Sequence, residues 1–354
     1  MYQTFSLRLQ FHTPAFLGNA SQQGQWRSPP VKALLRQWWR TAVAQQLGYS
    51  VERLRQQENR LFGTAADGEG DSRQSLIRLR LGQWSHGKLN SWHGLEQGSI
   101  YHPEAEKSKF KVGPHAYLGY GPLDGRKGTE FSKKNGSAIQ AQESSTLKLA
   151  VPAKHADDIA TALWLMDRYG TLGGRSRNGW GSLSLQHTDT GSTALPQPAR
   201  LPLVPWRDAL RRDWPHAIGS DEQGALVWQT AAFTDWQRLM QELARLKIAL
   251  RTQRSFTFHT GKDAPAPEAR HWLSYPVTNH SVKSWGGNAR LPNSLRFKVR
   301  PAPGKPGQLV GVVFHVPCQP PPAFQPDLRS IEQVWRTVHA FLDQPEQRLT
   351  RTPA

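Results

Sequence analysis

Apolar spacing changes period along this chain in an order that few folds accept. Phe5, Leu7, Leu9 and Phe11 alternate with Ser6, Arg8 and Gln10, the period-two pattern of a strand with one buried face. From residue 30 to 47 the apolar residues Val31, Leu34, Leu35, Trp38, Ala42 and Val43 fall at helical spacing instead, and Pro30 suits the first turn of that helix. SLIRLRL at 75–81 and STLKLAV at 145–151 read as two further strands, 156–169 as a second helix, and 181–186 as a fourth strand. The order β-α-β-β-α-β predicts an α+β, ferredoxin-like (RRM-like) domain, a frequent platform for RNA. The connection 82–144 between its second and third strands is rich in Gly, Ser, Lys and His and is far longer than a hairpin needs.

A Pro-rich break, LPQPARLPLVP at 195–205, divides the chain into a domain at 1–194, a linker at 195–205 and a domain at 206–354. In the second half 225–233 suggests a strand, 235–250 a helix, SLRFKV and QLVGVVFHV two strands, and 327–342 a closing helix. These predict a second, divergent ferredoxin-like domain, with no periodic segment after the closing helix to serve as its fourth strand. The expectation is two tandem ferredoxin-like domains, the first carrying a long insertion.

Charge sets the class of partner. The 354 residues carry a formal net charge of +18, with 24 basic against 15 acidic residues before residue 191 and 21 against 12 after it. Both halves therefore face a polyanion. Of the 45 basic residues 30 are Arg, whose planar fork suits phosphate better than the point charge of Lys. Nucleic acid is favoured over a membrane: no apolar run reaches the roughly 18 residues that span a bilayer, and no leader pattern opens the sequence, so a soluble, cytoplasmic protein is expected. Cys318 is the single cysteine, so an intrachain disulfide and a multi-cysteine zinc site are ruled out. No HxxxH or carboxylate-rich cluster has metal-ligand spacing, and no metal, cofactor or small-molecule substrate is expected.

Three groups of residues carry candidate chemistry. The first is GGRSRNGWG at 173–181, where Gly173, Gly174, Gly179 and Gly181 would shape the backbone, Arg175, Ser176, Arg177 and Asn178 would meet phosphate, and Trp180 would stack on a base. An ordinary basic turn is the alternative. The second is the first helix, where Lys32, Arg36 and Arg40 fall four apart in one stripe with Trp39 beside it, while Trp38 belongs to the core. That stripe reads as an RNA or partner contact, or as a solvated face. The third is the basic and aromatic run Lys283, Trp285, Arg290, Arg296 and Lys298, with exposed strand charges as its alternative. In the insertion, Lys107, Lys109, Lys111, Lys133 and Lys134 surround Tyr117 and Tyr120, as a mobile charged loop or as a thumb that orders on RNA. Among the 13 histidines, His12, His115 and His259 are candidates for the general base of a metal-independent ribonuclease, yet no local motif pairs any of them with a second catalytic group.

HTPAFLGNA at 12–20, SPPVKALLRQWWR at 28–40, RLFG at 60–63 and GGRSRNGWGSL at 173–183 together resemble the RAMP superfamily of CRISPR effector subunits. Within it, the chain looks most like the first-numbered subunit of the type III-B Cmr complex, with a weaker likeness in NARLPNSLRFKV at 288–299. It reads LGNA where that group usually has a second glycine. The resemblance implies two ferredoxin-like domains and a non-catalytic, RNA-binding subunit in antiviral defence. Such a subunit caps the ribonucleoprotein filament near the 3′ end of the guide RNA and contacts guide RNA, target RNA and neighbouring RAMP subunits. The alternative it leaves is a metal-independent RAMP endoribonuclease that processes guide precursors.

Overall fold

The computed structural model describes residues 1–65, 72–96, 98–106, 112–125, 128–188 and 194–353. They form two compact units: Met1–His93 with Gly119–Pro202 and Lys298–Pro301, and Gly94–Leu118 with Leu203–Phe297 and Ala302–Ala354. The division between Pro202 and Leu203 lies in the Pro-rich segment, and part of the long insertion, Gly94–Leu118, clusters with the second unit.

The first unit is built from β1 (Tyr2–Phe11), α1 (Ser28–Val43), α2 (Val51–Phe62), β2 (Arg78–Leu81), β3 (Ser144–Pro152), α3 (Ala156–Tyr169) and β4 (Leu183–His187). Its sheet has the order β2-β3-β1-β4, and each neighbouring pair is antiparallel. Phe5 stands opposite Leu149, Leu7 opposite Leu147 and Leu9 opposite Leu185, so the alternation read in β1 becomes one continuous apolar face. That face is covered by α1 and α3, whose Leu35, Trp38, Leu163 and Met166 are buried with Leu7, Leu9 and Phe11. Such burial out of water is the main stabilising contribution to a layer of this kind. Helix α1 begins at Ser28 rather than Pro30, with both prolines in its first turn, where their missing N–H groups cost no helical bond. Helix α2 had no expectation attached to it; the Ser50 hydroxyl caps it by accepting from the Arg53 N–H at 3.3 Å.

The ends of the insertion are tied into this unit. Ala15 bridges Ile139, Leu89 bridges Ala138 and Gln25 bridges His86. Gly87 lies so close to this seam that a Cβ on it would stand 2.2 Å from the Ala138 carbonyl oxygen. A wholly mobile charged loop is therefore not what forms: these backbone pairings fix both flanks. Lys133, Lys134 and Tyr120 are exposed, whereas Lys107, Lys109 and Lys111 lie outside the described residues.

The second unit contains β5 (Val227–Phe233), α4 (Trp236–Arg251), the first three residues of β6 (Leu295–Pro301), whose Lys298–Pro301 cluster with the first unit, β7 (Leu309–His315), α5 (Leu328–Leu342) and β8 (Thr350–Arg351). Its sheet order is β6-β7-β5-β8. In each sheet the strands stand second, third, first, fourth in chain order, with a helix after the first strand and another after the third. Asp235 and Asp327 cap α4 and α5, accepting from the N–H groups of Arg238 at 2.8 Å and Arg329 at 3.1 Å. A short sheet precedes β5, with Leu203–Pro205 parallel to Ile218–Asp221. The chain is thus mixed α+β with several antiparallel sheets. Among the described residues no helix is long and apolar enough to cross a membrane.

Candidate nucleic-acid interface

The glycine-rich loop closes on itself and on the segment that follows β1. Leu172 donates its N–H to the Gly181 carbonyl at 2.9 Å, bringing the two ends of the loop together. Gly174 donates to the Phe16 carbonyl and Gly181 to the Pro14 carbonyl, both at 2.9 Å. The Thr13 hydroxyl donates to the Gly179 carbonyl at 2.7 Å and accepts from the Ser182 N–H at 3.0 Å, and the Ser182 hydroxyl donates to the same carbonyl at 2.8 Å. Two motifs far apart in sequence, residues 12–17 and 173–181, are one structure. Gly173 and Gly181 make this possible: their φ angles are +101° and +63°, and a Cβ on either would strike the carbonyl oxygen of Phe16 or Leu172.

From this loop Arg175 stands exposed at a left-handed φ of +56°, a conformation an L-residue adopts only under local constraint. Here the constraint is the pair of turns in which Asn178 donates to the Arg175 carbonyl at 2.9 Å and Gly179 to the Ser176 carbonyl at 3.1 Å. Ser176, Arg177 and Asn178 are half-buried at the same tip. Trp180 points the other way. Its ring is fully buried against Phe16 at 5.3 Å and Trp92 at 5.5 Å, so its faces are filled by the core, and the base-stacking role expected of it is corrected to an anchor for the loop.

The basic stripe of α1 is also engaged within the fold. Arg36 and Arg40 both bind Glu58 of α2, whose carboxylate is almost fully enclosed, with Arg40 Nε at 2.6 Å from Oε2. Lys32 Nζ donates to the Phe62 carbonyl at 3.0 Å, at the end of the same helix. The stripe docks α2 onto α1, and the partly exposed guanidinium groups of Arg36 and Arg40 leave only their outer edges to a ligand. Trp39 is fully buried, edge-on to Phe62 at 5.5 Å, where a stacking or wedging face was expected.

In the second unit Lys283 and Arg290 are exposed, and Arg290 Nη1 donates to the carbonyls of Gly287 at 3.0 Å and Ala289 at 2.7 Å. Trp285 between them is buried, boxed by Trp272, Tyr275 and Phe324, and donates its indole N–H to the Phe324 carbonyl at 3.1 Å. Arg296 is buried on β6. For Trp285 and Arg296 the expected RNA contact gives way to packing. Lys298 is likewise enclosed in the first unit, where its ammonium donates to the carbonyls of Met166, Asp167 and Gly170 at the end of α3, Gly170 at 2.9 Å. Burial pushes it down to about 7, against the pull of the Asp167 carboxylate, and its charge complements the negative end of the helix. The structure adds residues the sequence reading did not single out: Arg8, Arg78, Arg80 and Lys148, exposed together on the sheet face opposite α1 and α3.

The histidines considered as bases divide by exposure. His12 is buried, its Nε2 2.8 Å from the Ser184 hydroxyl, and burial with the nearby Lys298 pushes it down to about 4. His115 is stacked on Trp236 at 5.2 Å, and burial takes it to about 4 as well. His259 is exposed. In the second unit His339 is pushed down to about 3 by burial and by Arg351, and its Nε2 lies 2.9 Å from Nδ1 of the buried His315.

These shifts set a pH dependence. A histidine whose folded pKa lies below its unfolded value of about 6.5 takes up its proton first in the unfolded chain. His12 and His339 should therefore withdraw stability as pH falls from about 6.5 towards 4, at about 1.4 kcal/mol per unit of displacement for each ring. Glu96, pushed up to about 7 by burial, acts in the opposite sense beside His115. Urea titrations between pH 7 and pH 4 should show a falling midpoint. A flat profile would mean that the two rings withdraw no more stability than Glu96 returns.

Among the described residues no three His, Cys, Asp or Glu side chains come together as a metal would need. The chain is similar in structure to Cmr1 from Pyrococcus furiosus in its apo form, at 14% identity and a TM-score of 0.46, over 98% of each chain. It is also similar to a chain of the type III-B Cmr-beta complex bound to cognate target RNA, at 9% identity and a TM-score of 0.47, over 96% of this chain and 99% of the other. A chain of that complex bound to cognate target RNA and AMPPnP in the presence of ssDNA gives 10% identity and a TM-score of 0.43, over 96% and 99%. No curated protein matches the chain. The family model described as the RAMP superfamily matches residues 8–184, half of the chain, from the first strand through the stapled glycine-rich loop to β4, and the chain belongs to the RAMP superfamily.

Proposed function

We propose that this protein is a non-catalytic, RNA-binding subunit of a type III-B CRISPR (Cmr) effector complex, acting in the cytoplasm in antiviral defence. It caps the filament near the 3′ end of the guide RNA and contacts guide RNA, target RNA and adjoining RAMP subunits. The observation that carries this reading is the docking of the glycine-rich loop on residues 12–17, which presents Arg175, with Ser176, Arg177 and Asn178, on a rigid base. A basic tip of this kind holds phosphates without reading bases, so sequence selection falls to pairing between guide and target. The net charge of +18 supports a polyanionic partner, and the paired-tryptophan helix supports the assignment to the Cmr group. The repeated strand order in the two sheets supports tandem ferredoxin-like domains, the first interrupted by the insertion. Enclosure of His12 and His115 supports the non-catalytic reading over guide-precursor cleavage, since a general base must reach its substrate, and it leaves the exposed His259 as the one candidate base of the three that could do so.

Crosslinking and mass spectrometry on the complex assembled with guide RNA, with and without complementary target, tests this. Crosslinks in the peptide spanning residues 175–178 are expected, and their dependence on target identifies the strand. If the chain fails to enter the complex, or enters it without a crosslink there, the loop is not the contact.

A further inference from the structure

We propose that the exposed part of the first sheet's second face, across β1, β2 and β3, is a second site, which binds single-stranded RNA. Helices α1 and α3 cover only the face carrying the odd-numbered residues of β1. The opposite face carries Arg8 on β1, Arg78 and Arg80 on β2 and Lys148 on β3, all exposed. The register gathers them: Arg80 and Ser6 flank Lys148 from either side, and Arg8 stands opposite Thr146. No acidic residue occurs in any of the four strands, and none of these four cations is ion-paired among the described residues. A groove of about 390 Å³ runs across β1, β2 and β3, floored by Thr4, Ser6 and Ala150 between Arg78, Arg80 and Lys148. Tyr2, 43% exposed, lies at one end of it with the Arg78 guanidinium 5.3 Å from its ring.

A solvated sheet face is the ordinary fate of such residues, but it ordinarily mixes charges of both signs. This face is uniformly cationic, so it selects an anion by charge complementarity. Arg78 and Arg80 lie two residues apart on one strand, about 7 Å, a separation suited to successive phosphates along an extended strand. The hydroxyls of Thr4, Ser6 and Thr146 lie between the cations, where a ribose 2′-OH has partners to meet, and Tyr2 offers a ring to an unstacked base. A duplex keeps its bases stacked inside and could not use that ring, so the occupant is a single strand.

The site is separate from the glycine-rich loop and does not depend on assembly into a complex. Its test is the affinity of the purified full chain for a fluorescent single-stranded oligouridylate across a range of salt. Replacing Arg78, Arg80 and Lys148 together by Glu should weaken binding at least tenfold at low salt and reduce the slope of log affinity against log salt by about 2, from a contribution of about 0.7 per phosphate contact. Tyr2→Ala should cost several-fold with the slope unchanged. These positions are exposed, so an unchanged thermal midpoint verifies that the fold is intact. Unchanged affinity and slope in the triple variant, no binding by the parent chain, or loss confined to Arg175→Ala would each overturn the site. Loss in the triple variant supports it even where the chain fails to join an effector complex.

Discussion

Arg351→Ala should lower the unfolding free energy of the second unit by about 3 kcal/mol, the cost of leaving partly buried carboxylates without their cation. Arg351 forks onto Asp221 at 2.7 and 2.8 Å and onto Asp343 with two contacts of 2.8 Å, and its guanidinium lies 4.9 Å from the Trp228 ring. Asp343 also accepts from the Trp228 indole N–H at 2.8 Å, so one arginine organises both carboxylates and an aromatic ring. Burial works to raise the two carboxyls, and the hydrogen bonds of Arg351 outweigh it and hold both below the usual carboxylate range. Without the guanidinium, the two like charges face each other at the edge where β8 joins β5 through only two residue pairs. Arg351→Lys keeps the charge but loses the planar fork, and it should recover only part of the loss. Denaturant midpoints for the three proteins check this. A change below about 0.5 kcal/mol for the alanine variant, the range of an ordinary surface substitution, would mean that Arg351 does not hold the last strand.

That strand marks the limit of what the residues disclose in advance. β1, α1 and α3 repeat one apolar period over many residues, and α4 and α5 each follow an aspartate that caps them, so their places can be read from spacing alone. β8 is two residues long and has no period; it exists because Arg351 reaches Asp343 just before it and Asp221, which is distant in sequence. α2 is obscured by Glu58, which interrupts the buried row of Leu54, Leu61 and Phe62 and makes sense only as the partner of Arg36 and Arg40. The tryptophans misled for a related reason: composition says that an aromatic is near a basic residue, not which way it points. Trp39 did carry a signal, because Val31, Leu35, Trp39 and Val43 recur every four residues as one helical stripe. For Arg8, Arg78, Arg80 and Lys148 the alternation was visible in each strand, but their convergence is a product of register, which a single strand does not encode.

Gly181→Ala should be the most damaging single-methyl change in the first unit, at about 4 kcal/mol, and Gly48→Ala measures why. The two glycines have nearly the same backbone, with φ of +63° and +62°, so both substitutions pay the same left-handed cost of about 1 kcal/mol. Their surroundings differ. A Cβ on Gly48 would meet nothing within 4 Å, whereas one on Gly181 would stand 1.9 Å from the Leu172 carbonyl oxygen. That oxygen belongs to the backbone, whose N–H donates to Gly181 in turn, so it cannot yield without opening the neck of the loop. Opening the neck also strains the bond from Gly181 to the Pro14 carbonyl and withdraws Trp180 from Phe16 and Trp92. The expected result is therefore double: a midpoint loss several times that of Gly48→Ala, and loss of RNA crosslinks at Arg175, whose position depends on those turns. Equal stability losses in the two variants would show that the loop closes without the Leu172 to Gly181 contact. Undiminished crosslinks at Arg175 in a destabilised Gly181→Ala protein would show that phosphate contact needs the charge of the tip but not its shape.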